Sequence, residues 1–90
     1  MIIVSQDKEK IVNFDNLTQV YITQDEEETS YFIRYETVDS LYDDLGKYET
    51  EERGKEVLQE IIKEYENENW QFDIGRDICH QQRVYKMPED

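Results

Sequence analysis

Residues Thr50 to Glu66 read TEERGKEVLQEIIKEYE, and this stretch decides the fold. Its apolar residues Val57, Leu58, Ile61, Ile62 and Tyr65 follow the i, i+1, i+4, i+5, i+8 spacing of one buried helix face. At about 100° per residue they cover an arc of roughly 140°. Gly54 falls near the middle of that arc. It costs roughly 1 kcal/mol of helix propensity relative to Ala, but it allows the first turn to approach its neighbours closely. Thr50 is placed as the N-cap, and Glu51 and Glu52 suit the positive end of the helix dipole. The reciprocal capping box is absent, because Arg53 stands where Glu or Gln would be needed. The expectation is a single amphipathic helix over residues 50–66, lying across a sheet.

The chain before the helix supplies that sheet. Met1 to Val4 is a short apolar run, and Ile11 to Phe14 resumes it after a polar turn. Asp15-Asn16 offers turn chemistry. Leu17 to Thr23 alternates loosely, with Val20 and Ile22 on one face and Tyr21 on the other. The charged loop QDEEETS, Gln24 to Ser30, is the tip of a hairpin. In Tyr31 to Val38, residues Tyr31, Ile33 and Tyr35 line one face, and Phe32, Arg34, Glu36 and Val38 the other. Asp39-Ser40 turns into Leu41 to Tyr48, where Gly46 marks a bulge or a bend. Beyond the helix, Asn67 to Asn69 reads as a polar break. Trp70, Phe72 and Ile74 then alternate with period two, Gly75-Arg76-Asp77 is a turn, and Val84-Tyr85 returns as a strand against the Trp70 run. Ile78 to Met87 stays ambiguous between strand and helix. The fold class is therefore α+β, an antiparallel β-meander of four to six strands with one helix on one face. It is one domain: meander 1–48, helix 50–66, C-terminal extension 67–87.

Composition narrows the function. There are 10 Lys and Arg against 23 Asp and Glu, a net charge of -13. Phosphate binding draws on Lys and Arg, so direct nucleic-acid and anionic-membrane ligands are disfavoured. Fast encounter with a basic protein surface is favoured instead. Apolar residues make up 37% of the chain and mean hydropathy is -0.96, yet 12% aromatics is too many for a disordered acidic tail. A thin core of this kind gains from pairing with itself or with a partner. One cysteine permits no internal disulfide, which fits a reducing compartment. No secretory signal or membrane span is legible, so the expected location is the cytoplasm of a bacterial host cell.

Three blocks, IVSQDKEKIVNFDNL, LGKYETEERGKEVLQEI and VYKMPED, resemble a group of small proteins of Gram-positive bacteria and their phages. Members open with M-x-I-V-S-Q-D and end in Y-x-M-P-E. The matched blocks cover roughly half of the chain. The resemblance implies a β-meander followed by one helix, in the manner of a pleckstrin-homology-type half-barrel. It implies no reaction and transfers no functional residue. The stretch Asn67 to Arg83 departs from the pattern and is where a function peculiar to this chain would be expected.

Catalytic and metal readings are weak. Adjacent Cys79 and His80 point to opposite faces of a strand, or about 100° apart on a helix, so His80 cannot activate Cys79 directly. One Cys and one His give two zinc ligands where a structural site needs four. Asp39, Asp43 and Asp44 ahead of Gly46 lack the alternating oxygens of a calcium loop. No Gly-rich phosphate loop or hydrolase motif occurs. No enzyme, metal or cofactor is expected.

The acidic surface and the tyrosines remain. Glu56, Glu60 and Glu64 repeat at i, i+4 along the helix, where like charges repel by a few tenths of a kcal/mol per pair. Glu64, Glu66 and Glu68 crowd the end of the helix that prefers cations. Such placements oppose local stability and suggest another use. DNA carries one charge per about 1.7 Å of axis, and carboxylates on alternate strand residues stand about 6.6 Å apart, so acidic rows can mimic DNA in a nucleic-acid groove. Against this stands the plain reading that acidic surfaces keep a small domain soluble. Tyr21, Tyr42, Tyr48 and Tyr85 are candidate interface anchors, or simply pack the sheet edges. The partner-binding candidates are thus Glu56, Glu60, Glu64, Glu66, Asp43, Asp44, Tyr42 and Trp70. Two functions follow. One is an acidic phage or mobile-element inhibitor of a host defence nuclease, like an anti-CRISPR protein. The alternative is an assembly module that forms a homodimer, or docks a partner, through Trp70 to Met87.

Overall fold

The computed structural model describes residues 1–27, 29–73 and 83–90. Among these residues six strands and one helix follow in order: β1 (Ile2–Val4), β2 (Ile11–Asn13), β3 (Leu17–Gln24), β4 (Tyr31–Thr37), β5 (Tyr42–Tyr48), α1 (Glu51–Asp73) and β6 (Val84–Lys86). A 3₁₀ turn at Phe14–Asn16, capped by the Asn13 side chain, joins β2 to β3. The strands form two three-stranded sheets, β2-β1-β6 and β3-β4-β5. The α+β expectation holds, with the meander confined to β3, β4 and β5.

The helix begins as its sequence dictates. The Arg53 N–H donates to Thr50 Oγ1 at 3.1 Å, and the Gly54 N–H donates to the Thr50 carbonyl at 3.1 Å. Val57 and Ile61 are buried against Ile33, Leu45, Met1, Ile3 and Met87 in one core cluster. Each such side chain contributes roughly 1.5–3 kcal/mol. Tyr65 extends the stripe, meeting Phe14 of the 3₁₀ turn with ring centroids 4.9 Å apart. Ile62 departs from the expected stripe and is 47% exposed. It stands at the margin of the arc, where the sheet no longer reaches.

Two expectations are corrected at the C-terminal end. Trp70 and Phe72 belong to α1, which runs to Asp73 rather than ending at Glu66. The alternation over Trp70 to Ile74 is short, and no Gly or Pro interrupts the chain between Gly54 and Gly75. Propagation, at one hydrogen bond per added residue, therefore prevails over the period-two pattern. Val84 and Tyr85 do form a strand, but β6 pairs in parallel with β1, at Ile2↔Val84 and Ile3↔Tyr85, and not with the Trp70 run. Ile74, the Gly75-Arg76-Asp77 turn, Cys79 and His80 lie outside the described residues.

The bulge expected at Gly46 is present. Pairing of β4 with β5 shifts between Ile33↔Gly46 and Arg34↔Asp44, which leaves Leu45 as the extra residue. Leu45 and Gly46 are both buried there. Tyr48, two residues on, lays its ring over Gly46 and sends its hydroxyl to the Pro88 carbonyl at 2.8 Å. Tyr48 is only 2% exposed, so it is a core residue and not the interface anchor its type suggested. Burial pushes its hydroxyl pKa up to about 12.

Gln6 completes the seam between the two sheets. Its backbone N–H donates to the Leu45 carbonyl at 2.7 Å. Its carboxamide accepts from the Lys47 N–H at 2.8 Å and donates to the Lys47 carbonyl at 3.0 Å. The same Nε2 reaches the carbonyls of Pro88 and Glu89 at 3.1 and 2.7 Å. The S-Q-D and M-P-E segments, distant in sequence, thus meet on the edge of β5. Met87 is buried beside them, and its N–H donates to the Val4 carbonyl at 3.0 Å.

The two glycines respond in opposite ways to a methyl group. A Cβ at Gly54 would meet Ile22 Cδ1 at 3.4 Å, an ordinary contact. Gly54→Ala is expected to raise stability by about 1 kcal/mol, or about 4–8 °C in Tm for a domain of this size. A Cβ at Gly46 would stand 2.9 Å from Tyr48 Oη, on a rigid ring that cannot yield without leaving Pro88. Gly46→Ala is expected to cost about 1–3 kcal/mol, and equal Tm values for both variants would contradict this packing. Because the folded pKa of Tyr48 exceeds its unfolded value of about 10, its contribution is full below pH 10 and is lost as pH rises toward 12. Chemical denaturation from pH 9 to 12 should therefore show a shallower decline for Tyr48→Phe than for the wild type; parallel curves would refute that linkage.

Candidate partner-binding surface

The sheet β3-β4-β5 has two unlike faces. On the Ile33 side it packs against α1 and the residues of the small sheet in a single core. The other face carries Tyr21, Phe32, Arg34, Glu36, Tyr42 and Asp44, set side by side by the register Tyr21↔Arg34, Arg34↔Asp44 and Glu36↔Tyr42. Tyr21 and Phe32 are half-buried, yet neither belongs to the core.

Arg34 organises the face. Its Nε donates to Asp44 Oδ1 at 2.8 Å, and its guanidinium lies over the Tyr42 ring, 4.9 Å from the centroid. The hydrogen bond to Asp44 raises the Arg34 pKa, against a smaller opposing effect of burial. A charge-assisted bond and a cation–π contact thus link Asp44, Arg34 and Tyr42. Gln19 also donates to Glu36 across β3 and β4.

The face ends at an apolar tip. Between β4 and β5 the chain turns through Val38, Asp39 and Ser40, closed by the Ser40 N–H to the Thr37 carbonyl at 3.0 Å. Ser40 adopts φ 64°, the left-handed conformation that lets so short a loop rejoin the strand. This geometry lifts Val38, Leu41 and Tyr42 outward, to 76%, 66% and 63% exposure. Glu36 and Asp44 share the Tyr42 face by register, Asp39 lies within the turn, and Asp43 is on the opposite face, paired with Tyr35. Asp43 also forms an ion pair with Lys10 at 3.6 Å.

The helix carboxylates are used differently from what their spacing suggested. Arg53 pairs with Glu56 at 3.3 Å and with Glu60 at 3.7 Å, and its Nε donates to the Asp90 carbonyl at 2.9 Å. The Tyr85 hydroxyl donates to Glu60 at 2.7 Å; burial first, and then that carboxylate, raises its pKa. Glu64 binds Arg83 at 2.9 Å. The row thus tethers residues 83–90 to α1, while Glu66 remains exposed. A shallow depression along this flank is lined by Glu52, Arg53, Glu56 and Glu60.

The structure therefore divides the candidate residues. Tyr42 and Asp44 share the outer sheet face with Arg34. Glu56, Glu60, Glu64 and Glu66 lie on the helix that covers the opposite face. Trp70 is in the C-terminal part of α1, and its side chain lies outside what is described. Phe32, Arg34, Val38 and Leu41 were not singled out for binding. Their signal was present in the strand alternation that sets Phe32, Arg34, Glu36 and Val38 opposite Ile33, and in two apolar residues flanking a polar turn.

Comparison with known protein families, curated proteins and solved structures finds no match for the chain. Among the described residues no group of three His, Cys, Asp or Glu side chains is placed to hold a metal ion. Nor is any described helix long and apolar enough to cross a membrane.

Proposed function

We propose that the chain is a non-enzymatic acidic binding module that grips a protein with a basic surface through the outer face of β3-β4-β5 and the β4–β5 tip. The observation that supports this reading is the trio Val38, Leu41 and Tyr42, exposed beside a short turn, with Asp39 in the turn and Glu36 and Asp44 on the Tyr42 face. Aromatic and aliphatic anchors bounded by charge are the usual source of binding energy at protein interfaces. An open sheet bearing Tyr21, Phe32 and Tyr42 would also suit base stacking, but a net charge of -13 opposes a phosphate backbone. A basic protein satisfies both features.

In its most specific form the partner is a nucleic-acid-binding enzyme such as a defence nuclease, whose basic groove the module occupies. Glu36 and Asp39 would then supply the mimicked charge, since Asp44, Glu56, Glu60 and Glu64 are engaged within the chain. Assembly through Trp70 to Met87 has less support, because Val84 to Met87 is taken up by pairing with β1.

The test is affinity capture from a bacterial lysate, comparing the wild type with Leu41→Ser/Tyr42→Ser. Both side chains are exposed, so the variant should remain folded. A basic protein held by the wild type at low salt, weakened at high salt and lost by the variant is the expected result. Identical retained proteins for both forms would contradict the proposal.

A further inference from the structure

The edges of the β3-β4-β5 sheet are as unlike as its faces. At β5, Gln6 engages the Leu45 carbonyl and both backbone groups of Lys47, so a single side chain and its own amide stand where a neighbouring strand would pair. The bulge at Leu45 and the charges of Asp43, Asp44 and Lys47 protect that edge further, as natural sheet edges usually are protected. β3 has a single irregularity near its start, where pairing shifts from Leu17↔Thr37 to Gln19↔Glu36 past Thr18; from Gln19 to Gln24 none of these devices operates. Residues 17–24 read LTQVYITQ, with no charged residue and no proline, in a chain that is 37% charged. β3 is the outermost strand, and none of its residues is fully buried. Its side-chain hydrogen bonds run inward to β4, from Thr18 to the Glu36 carbonyl, from Gln19 to Glu36 and from Gln24 to Tyr31. Among the described residues, no strand pairs with its outer side. The six uncharged residues Gln19 to Gln24, in regular register with β4 and unpaired on their outer side among the described residues, form a template for strand addition.

Charge selects the occupant. Exposed Glu26 and Glu27 follow the C-terminal end of β3, and exposed Asp15 precedes its N-terminal end. In antiparallel pairing with a second copy, acidic residues would face acidic residues at both ends, between chains of charge -13. An extended segment preceded by lysine or arginine avoids this, and sets its cations beside Glu26 and Glu27. Antiparallel addition is also slightly the more stable mode per residue. We propose that β3 receives an extended segment of the partner as an added antiparallel strand, with the basic residues before that segment lying along Glu26 and Glu27. The inference rests on the reading that the partner is a basic protein, and it specifies how that protein is held. The added strand would continue the face that carries Tyr21 and Phe32.

The probe is a synthetic peptide with a lysine head and an alternating Thr-Val tail, compared with the same peptide N-methylated at the tail amides. Amide hydrogen exchange and chemical shifts of the whole chain supply the readout. The unmethylated peptide is expected to shift the amides of Thr18 to Gln24 and slow their exchange, leaving Lys47 unchanged. The methylated peptide, with the same charge but without donors, should not slow them. Glu26→Gln/Glu27→Gln should weaken binding about threefold to tenfold, with a smaller salt dependence. Equal binding of both peptides, binding of neither, or protection of β3 that grows with protein concentration alone would each overturn the proposal. Unmoved β3 amides together with a basic partner lost by Leu41→Ser/Tyr42→Ser would leave the binding function standing and refute only the strand-addition mode.

Discussion

The hydrogen bonds of the Gln6 carboxamide are the constraint on which the rest of the architecture turns. Placed at the end of β1, this group presents an acceptor and donors much as a peptide unit does, and Lys47 pairs with it as it would with a strand. The same nitrogen reaches Pro88 and Glu89, so one side chain joins the small sheet, the bulged edge of β5 and the C-terminal segment. Tyr48 reinforces the join from within the core through its bond to the Pro88 carbonyl. Because these bonds span forty or more positions of sequence for so few residues fixed in place, they hold the two sheets in one core.

Closing that edge determines what remains open. The helix takes one face of the larger sheet, and Gln6 takes one edge. The opposite face and the opposite edge are left with aromatic rings, a fixed arginine and an uncharged strand. Charge is divided in the same way. On the helix, Arg53, Arg83 and Tyr85 convert an unfavourable row of glutamates into tethers for residues 83–90. At the β4–β5 tip, Asp39 in the turn and Glu36 on the Tyr42 face stand near exposed apolar side chains instead. Two populations of acidic residues with similar spacing therefore have different physical roles, and only their neighbours distinguish them.

Those neighbours explain what the sequence disclosed and what it withheld. The helix core, the Thr50 cap, the bulge near Gly46 and the alternation of β4 are local patterns, and each was legible. The extension of α1 past Glu66 was obscured because three aromatic or apolar residues at alternate positions look like a strand in any short window. The parallel pairing of β6 with β1 was hidden because nothing local in VYK specifies a partner more than eighty residues away. Glu60 and Glu64 looked destabilising because their cations arrive from other turns and segments. Gln6 carried no signal beyond its place in the S-Q-D motif, since an amide used as a strand surrogate has no periodicity. The exposed tip was half legible: the alternation put Val38 on the right face, but the lift of Leu41 and Tyr42 depends on the turn geometry at Ser40.

The architecture depends on Gln6 closing the β5 edge, and residue-resolved amide hydrogen exchange in Gln6→Ala tests this most directly. Removing the carboxamide deletes the acceptor for the Lys47 N–H and loosens the segment bound through Pro88. Exchange at Lys47 should become about tenfold faster or more, with a parallel loss at Met87, while amides paired between β3 and β4 keep their protection. Unchanged protection at Lys47 and Met87 would show that the seam is held by something else, and would contradict the account.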